Sequence, residues 1–283
     1  MLFEQDATEG EKDSAKDETS SPVPFSNKLL AFRALSIGLK FSYHNWRMWA
    51  NYMIVALDVG EFAEACRAQA RVVEERSEKV GAAAVDEDLL DRLVDAATRS
   101  SSTANEVASL ETNKSSADAA GRSPKEPYGL PARVLDLLEK TILPRVSSQR
   151  IFRSYARLLS SLGRWSEVVQ AYLSAYRLSF ASTMEKGAEP DESKWHEAVS
   201  EVEETVDMLR NFGPRAEAET TGRQDAQSEG GDGQLQVSSE AGAGRWKMQA
   251  RSIVRTFMAR HKDAFEDDPF WERLTQLLEE LKK

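Results

Sequence analysis

Two stretches of the chain, roughly a hundred residues apart, share one pattern of aromatic residues and glycine. They read WANYMIVALDVGEFAEACRAQARVV and FRSYARLLSSLGRWSEVVQAYLSAY, and they begin at Trp49 and Phe152. In each, a large aromatic residue is followed after three residues by tyrosine, eight residues later by glycine, and after two more by another aromatic. The matched pairs are Trp49 with Phe152, Tyr52 with Tyr155, Gly60 with Gly163, and Phe62 with Trp165. This pattern predicts that both stretches fold the same way.

The spacing indicates two short antiparallel helices joined at the glycine. Glycine permits the left-handed turn between them, and small residues such as Ala56 let the helices approach closely. We therefore interpret the aromatic bulk as packing between helices, in preference to a cofactor site or a platform for stacking bases. The residues assigned to repeat packing are Trp46, Trp49, Tyr52, Gly60, Phe62, Ala65, Phe152, Tyr155, Gly163 and Trp165.

This pattern resembles the tetratricopeptide repeat, a helix-turn-helix unit with a period of about 34 residues. One period before Trp49 lies a polar tail, whereas residues 26–42 align as the second helix of a preceding repeat. The chain is thus expected to begin halfway through a repeat, either as a truncated gene model or as a shortened paralogue. We also expect an exposed apolar face on helix 26–42, where a preceding helix would pack.

The rest of the chain shows helical periodicity and no period-two alternation, so the predicted fold is all-α: a tetratricopeptide-type α-solenoid of antiparallel helix pairs. Asp86 is a candidate N-cap, Pro131 a candidate helix start, and Gly213-Pro214 a predicted helix end. The predicted organisation is a tail at 1–24, repeats at 25–212 with an insertion at 100–129, a linker at 213–244, and a helical pair at 245–283 that packs on the solenoid.

Three acidic or serine-rich segments, 1–24, 100–129 and 213–244, are predicted to be disordered because they have few apolar residues to bury. The net charge of the chain is −10, and these segments carry all of it, with seven acids and two bases in the first alone. The helical body is therefore neutral overall. A duplex-binding protein needs a concentrated basic face, so nucleic acid is not an expected partner.

Chemistry-bearing residues are sparse. The three histidines, His44, His196 and His261, have no metal-ligand spacing, and Cys66 is the one cysteine, interpreted as a small core residue. We expect no catalytic, cofactor-binding or metal site, so the chain is not expected to be an enzyme. No apolar stretch is long enough to insert in a membrane, and the lone cysteine favours a reducing compartment, the cytoplasm or else the nucleus.

One stretch is more particular than a generic repeat: KLLAFRALSIGLKFSYHNWRMWANYMIVALDVGEFAEACRAQARVVEER. Its pieces AFRAL, GLK, W-x-x-Y and DVGEF-x-EA, with the spaced Tyr43 and Trp46, resemble the C-terminal third of the tetratricopeptide repeat protein 27 family, which includes an essential fungal protein of cell-wall maintenance. The resemblance is close over residues 27–77 and weaker over 131–180. It implies a non-catalytic scaffold that assists assembly of large complexes such as the U5 spliceosomal particle. Family members are much longer, so functions that need their other repeats are not implied.

A stripe of arginines suggests where a partner would bind. Arg150, Arg153 and Arg157 share one helical face, and Arg47 and Asn51 hold comparable positions in the first stretch. The hypothesis is that these five residues line a concave groove and bind an acidic extended peptide.

Two alternatives remain open beside this hypothesis. The first is that the five residues form a solvated charged face without a partner. An RNA-processing repeat protein of the half-repeat type also carries W-x-x-Y, although Ala56 stands where those repeats place glutamate. The oligomeric state is not predicted.

Overall fold

The computed structural model describes residues 24–111, 129–183, 192–228, 244–265 and 267–282. Every regular element in these ranges is helical. The α-helices are α1 Phe25–Phe41, α2 Trp46–Val59, α3 Phe62–Val80, α4 Glu87–Glu111, α5 Leu130–Asp136, α6 Gln149–Ser161, α7 Trp165–Thr183, α8 Glu192–Ser228, α9 Arg245–Phe265 and α10 Pro269–Glu280. A short 3-10 helix, Gly81–Ala84, precedes α4, and a π-helical segment, Leu137–Ile142, continues α5. The predicted all-α class is confirmed.

The helices pack as successive hairpins: α2 with α3, α4 with α5, α6 with α7, and α8 with α9. The helix α1 packs on α2 at one end of the stack, and α10 packs on α9 and α8 at the other. The first helices of neighbouring hairpins also touch, α2 with α4 and α4 with α6. This is the stacked arrangement of an α-solenoid, in which each unit buries its apolar surface against its neighbours.

The two predicted glycine turns are present. Gly60 has φ 85° and Gly163 has φ 72°, the left-handed region that favours glycine. Gly60 ends α2, and its backbone N–H donates to carbonyls of the last helical turn, while Asn45 caps the start of α2 by accepting from the N–H of Arg47. Asp86 caps α4 as predicted, accepting from the N–H of Leu89 at 3.1 Å.

Two predicted boundaries are wrong. The helix α4 runs to Glu111, so the first part of the predicted disordered insertion 100–129 is helical. The helix α8 does not end at Gly213-Pro214 but continues to Ser228, so the predicted linker 213–244 is helical over its first half. The remaining parts of these segments, 112–128 and 229–243, and the predicted tail up to residue 23 lie outside the described residues.

The physical reason for Gly213 is packing rather than termination. At this point α8 crosses α9 so closely that a Cβ added to Gly213 would lie 2.5 Å from the Cβ of Trp246. Pro214 follows within the helix. It has no backbone N–H and so removes one hydrogen bond of α8, yet the helix continues on both sides of it. A sequence pattern that normally ends a helix therefore marks a helix crossing here.

The half of α8 beyond Gly213 stabilises the starts of two other helices. Glu217 accepts hydrogen bonds from the N–H groups of Gly244 at 3.0 Å and Trp246 at 2.7 Å, at the start of α9. Glu219 accepts from the N–H of Ser166 at 2.9 Å, in the first turn of α7. Carboxylates accept hydrogen bonds from the unpaired N–H groups at helix N-termini and interact favourably with the positive end of the helix dipole.

The core is nearly continuous along the stack. One cluster of buried residues joins α1 to α6, a second joins α7 to α10, and a smaller one lies between α6 and α7. At the far end, Trp195 of α8 stacks on Phe257 and Phe265 of α9, with ring centroids 5.2 and 4.5 Å apart. In the described part of the chain, no helix is both long and apolar enough to cross a membrane.

Candidate partner-binding groove

The three predicted arginines of α6 line one surface groove. Arg150, Arg153 and Arg157 face an open cleft of about 260 Å³ between α4 and α8, with α7 at its base. The other lining residues are Asp91, Ser154, Tyr172 and Glu204. We call this surface the arginine groove. The i, i+3, i+7 spacing on α6 explains why the three side chains emerge on one face.

On the α4 side, Asp91 is the common acceptor. It accepts from Arg150 Nε at 2.9 Å, from Arg157 Nη2 at 2.9 Å, and from the hydroxyl of Ser154. Arg150 also pairs with Asp88, and Arg157 also pairs with Asp95 at 3.0 Å. Hydrogen bonding to Asp88, with a further contribution from Asp91, raises the pKa of Arg150 above its usual value. The arginines thus hold α6 against α4.

On the α8 side, Arg153 is held by two glutamates. Its Nη2 donates to Glu201 at 2.6 Å and to Glu204 at 2.7 Å. Burial raises the pKa of Glu201 despite the neighbouring Arg153, which lowers it. Burial also raises the pKa of Tyr172, whose ring lies at the base of the groove. One arginine therefore bridges α6 to the next hairpin of the stack.

The charge of the groove differs from what the arginine stripe alone suggests. Two carboxylates, Asp91 and Glu204, line the groove beside the three arginines. The arginines have three further ion-pair partners outside the lining, so the three arginines and all their partners together have a formal charge of −2. The five carboxylates are Asp88, Asp91, Asp95, Glu201 and Glu204. An acidic peptide would have to displace these internal partners. The arginines remain 36 to 49% exposed, so some of their N–H groups are available to a ligand.

Arg47 and Asn51 do not line the arginine groove. They lie on α2, and the helix α4 stands between α2 and α6 in the stack. Arg47 lies near the ring of Trp46, 5.3 Å from its centroid, and Arg76 covers the same ring at 4.0 Å. Trp46 is therefore a half-buried ring under a guanidinium and lies outside the buried core clusters. The structure brings together three of the five predicted partner-binding residues.

Further ion pairs, which no local sequence pattern indicates, join α1, α2 and α4. Asp58 of α2 pairs with Lys28 of α1 at 2.9 Å and with Arg92 of α4 at 2.8 Å. These hydrogen bonds, chiefly the one from Arg92, lower the pKa of Asp58. Together with the pairs of the arginine groove, they connect α1, α2, α4, α6 and α8. Their partners are far apart in sequence, so no local spacing pattern reveals them.

The aromatic residues assigned to packing mostly lie where packing requires. Trp49 and Tyr52 are buried, and Ala65 is fully buried. Tyr52 stacks on Phe32 of α1 at 5.0 Å, and its hydroxyl donates to Glu64 of α3 at 2.8 Å. Half-buried members packed against the cores are Phe62, Phe152, Tyr155 and Trp165.

The second stretch repeats this chemistry with other partners. The hydroxyl of Tyr155 donates to Glu139 of the π-helical segment at 2.9 Å, and burial is the first cause that raises its pKa. Trp165 stacks on Phe212 of α8, with centroids 5.7 Å apart. A tyrosine hydroxyl therefore binds a glutamate on a neighbouring helix in both stretches.

The candidate reactive groups are buried or engaged. Cys66 is buried in the core, as expected, and burial raises the pKa of its thiol to about 12. His196 is half-buried and stacks on Phe270, with its Nε2 3.5 Å from Asp268. His261 is buried beside Trp195, and burial lowers its pKa. Across the described ranges, no group of three or more histidine, cysteine or acidic side chains is placed to hold a metal ion.

Comparison with known proteins gives two relatives. A TPR repeat-containing protein of Schizosaccharomyces pombe is 30% identical over 269 residues, which cover 95% of this chain and 26% of the relative. The Saccharomyces cerevisiae protein named Essential for maintenance of the cell wall protein 1 is 25% identical over 236 residues, which cover 82% of this chain and 22% of that protein. This chain therefore spans about a quarter of the length of the curated relatives it matches. No family model matches the chain.

Among solved structures, the chain matches a DHF119 filament at 16% identity, covering 91% of this chain and 92% of the other, with a TM-score of 0.31. That score is too low to support an argument about fold or function. The repeat pattern and the stacked hairpins of this chain agree with the name of the S. pombe relative, a TPR repeat-containing protein.

Proposed function

We propose that this chain is a non-catalytic scaffold that binds other proteins through the arginine groove. The observation that carries the proposal is a stack of helical hairpins whose first helices present an open cleft lined by partly exposed, paired charges. Repeat solenoids bind partners along such extended surfaces. The S. pombe relative is named as a TPR repeat-containing protein, and this name supports an interaction role over a catalytic one.

The charge balance of the groove indicates the chemistry of a partner segment. Each arginine of the groove already pairs with carboxylates, and counting all these partners the carboxylates outnumber the arginines by five to three. Cationic side chains of a partner would therefore gain more than anionic ones. The remaining N–H groups of Arg150, Arg153 and Arg157 are suited to donate hydrogen bonds to backbone carbonyl oxygens of an extended chain. We therefore propose an extended segment of neutral to basic character, in place of the acidic peptide that the sequence suggests.

A peptide array tests this preference directly. Extended sequences with acidic, neutral and basic side chains would be probed with the intact protein, and we expect retention to follow basic and neutral character. Glu204→Lys reverses a charge that is 56% exposed in the groove, and it should weaken that retention. Asp207→Lys makes the same change on α8 at a residue that does not line the groove and is 63% exposed, so it serves as the matched control.

The outcomes separate the two partner chemistries. If acidic peptides are retained and the triple variant of Arg150, Arg153 and Arg157 to glutamate loses them, the acidic-peptide hypothesis holds. Equal effects of Glu204→Lys and Asp207→Lys would show that the groove is not the binding surface. Because the arginines also join α4, α6 and α8, the fold of each variant should be checked by circular dichroism.

The biological setting is the finer part of the proposal. We propose that the scaffold assists the assembly of large complexes such as the U5 spliceosomal particle, or maintenance of the fungal cell wall, in the cytoplasm or nucleus. The support is the resemblance over residues 27–77 and the name of the S. cerevisiae relative. Quantitative affinity purification from cell extract, with Glu204→Lys as the negative control, should enrich components of such an assembly. A purification that enriches none of them would remove this part of the proposal. The arginines of the groove are already paired with carboxylates, and this pairing gives no support to RNA binding.

A further inference from the structure

The outer face of α1 is apolar and exposed. Leu30 is 62% exposed, Ile37 57% and Phe41 85%. At 100° per residue, these three residues and Ala34 fall within one narrow stripe on the helix. We call it the α1 stripe. Three large apolar side chains aligned on one face differ from the isolated exposed residues that any protein surface carries.

The opposite face of α1 is already occupied, which fixes the stripe as the free side. Leu39 is buried, and Phe32 and Leu35 pack on the core formed with α2 and α3. Further along the stack, α3 is flanked both by α2 and by α4 with α5. In the part of the chain that the structure describes, α1 packs closely with α2 alone. The stripe therefore has the geometry of a helix-packing surface without its second helix.

The charges beside the stripe define what can cover it. Arg33 and Lys40 lie about 60–80° to one side of the stripe, and both are exposed. Lys28 is paired with Asp58, and α1 contains no acidic residue. A second copy of α1 would bring the same cations to this edge, and like charges oppose such pairing.

Residues 4–22 do not fit either. After Leu2 and Phe3, the sequence contains no large apolar residue until Val23, so this segment cannot supply apolar side chains at helical spacing.

We propose that the α1 stripe docks an amphipathic α-helix whose apolar stripe is bordered by acidic residues that face Arg33 and Lys40. The partner helix would cover Leu30, Ile37 and Phe41 as a neighbouring hairpin helix covers α3. This surface lies at the end of the stack, on α1, whereas the arginine groove is formed by α4, α6, α7 and α8. The two proposals can fail separately.

A displayed library tests the proposed partner chemistry without assuming its exact sequence. The library consists of 17-residue helices with leucine fixed at i, i+4, i+7 and i+11 and random residues at the flanking positions. It is selected on the intact chain and counter-selected on the double variant Ile37→Glu, Phe41→Glu. Because both side chains are exposed, these substitutions should leave the circular dichroism spectrum unchanged.

We expect aspartate and glutamate to be enriched at one flank of the selected helices. A selected peptide should bind about tenfold more weakly to the variant Arg33→Glu, Lys40→Glu, which should prefer a lysine-flanked peptide instead. No enrichment over the counter-selection, or enrichment without a charge preference, would overturn the proposal.

Two further measurements address other occupants. Light scattering of the intact protein should give a monomer, and a dimer that Phe41→Glu dissociates would assign the stripe to a second copy. Flotation with phosphatidylserine and phosphatidylcholine vesicles should show no binding that depends on Phe41, because Arg33 and Lys40 are the only cations that border the stripe among the residues of α1. Binding to vesicles that Phe41→Glu abolishes would assign it to a membrane surface.

Discussion

Replacing Asp91 with alanine should destabilise the junction between α4 and α6 more than any other single carboxylate change in the arginine groove. Asp91 accepts from Arg150, Ser154 and Arg157, and its side chain is 23% exposed. Charge-assisted hydrogen bonds of partly exposed groups contribute about 0.5–1 kcal/mol each after solvent screening. The loss of three contacts therefore predicts a decrease of about 2 kcal/mol in the free energy of unfolding.

The groove supplies matched controls on the same helix. Asp95 pairs with Arg157 and is 49% exposed, and Asp88 pairs with Arg150 and is 80% exposed. Asp95→Ala and Asp88→Ala remove the same charge from the same side of the groove. Each should cost about 0.5 kcal/mol or less, because exposed ion pairs contribute little.

Urea unfolding followed by circular dichroism measures the three stabilities, and amide hydrogen exchange locates the effect. In Asp91→Ala, exchange should accelerate mainly in α4 and α6, since each unit of a solenoid depends on its direct neighbours. If Asp91→Ala is no more destabilising than Asp95→Ala, the three contacts do not act as a junction and the reasoning is refuted.

Two other substitutions test different features. Gly213→Ala should lower the free energy of unfolding by about 1–2 kcal/mol, because overpacking against Trp246 outweighs the better helix propensity of alanine; a gain in stability by urea unfolding would contradict the close crossing. Asp58→Asn should reduce the decrease in the free energy of unfolding that accompanies a fall in pH. The folded-state pKa of Asp58 is lowered, so its contribution is present above the unfolded pKa of about 3.9 and is lost as pH falls through the folded value. Asp136→Asn, at an exposed carboxylate, is the control. If the free energy of unfolding of Asp58→Asn changes between pH 5 and pH 2 as steeply as that of the wild type, the role assigned to Asp58 is refuted.

The helices could be predicted from the sequence because the residues that specify each hairpin lie close together in the chain. The Trp49 and Phe152 stretches each contain an aromatic, a tyrosine and a glycine at fixed spacing, and both fold as helical hairpins. The hairpin of α4 and α5 was not recognised as a repeat because the segment 112–128 interrupts the period. Its two helices were predicted individually, from Asp86 and from Pro131.

The candidate site was only half visible in the sequence. The spacing of Arg150, Arg153 and Arg157 correctly placed them on one face of α6. Their carboxylate partners lie about 50 to 65 residues away in the chain, on α4 and α8. Which acids meet which arginines depends on how the hairpins stack, and a single sequence does not encode that pairing in any short pattern. Gly213 shows the same limit, because its close neighbour Trp246 lies on another helix.

The contacts made by the half of α8 beyond Gly213 influence the angle between two neighbouring hairpins of the stack. Glu217 and Glu219 hold the starts of α9 and α7, and these two helices belong to adjacent hairpins. One helix thus contacts the starts of helices in two hairpins, and these hydrogen bonds from backbone N–H groups to carboxylates help to set the angle between the two hairpins. Replacing Glu217 and Glu219 with glutamine should loosen the angle between the hairpin of α6 and α7 and the hairpin of α8 and α9, and side chains of both hairpins line the arginine groove. Under the proposed function, these two carboxylates would therefore influence which partner segments the groove admits.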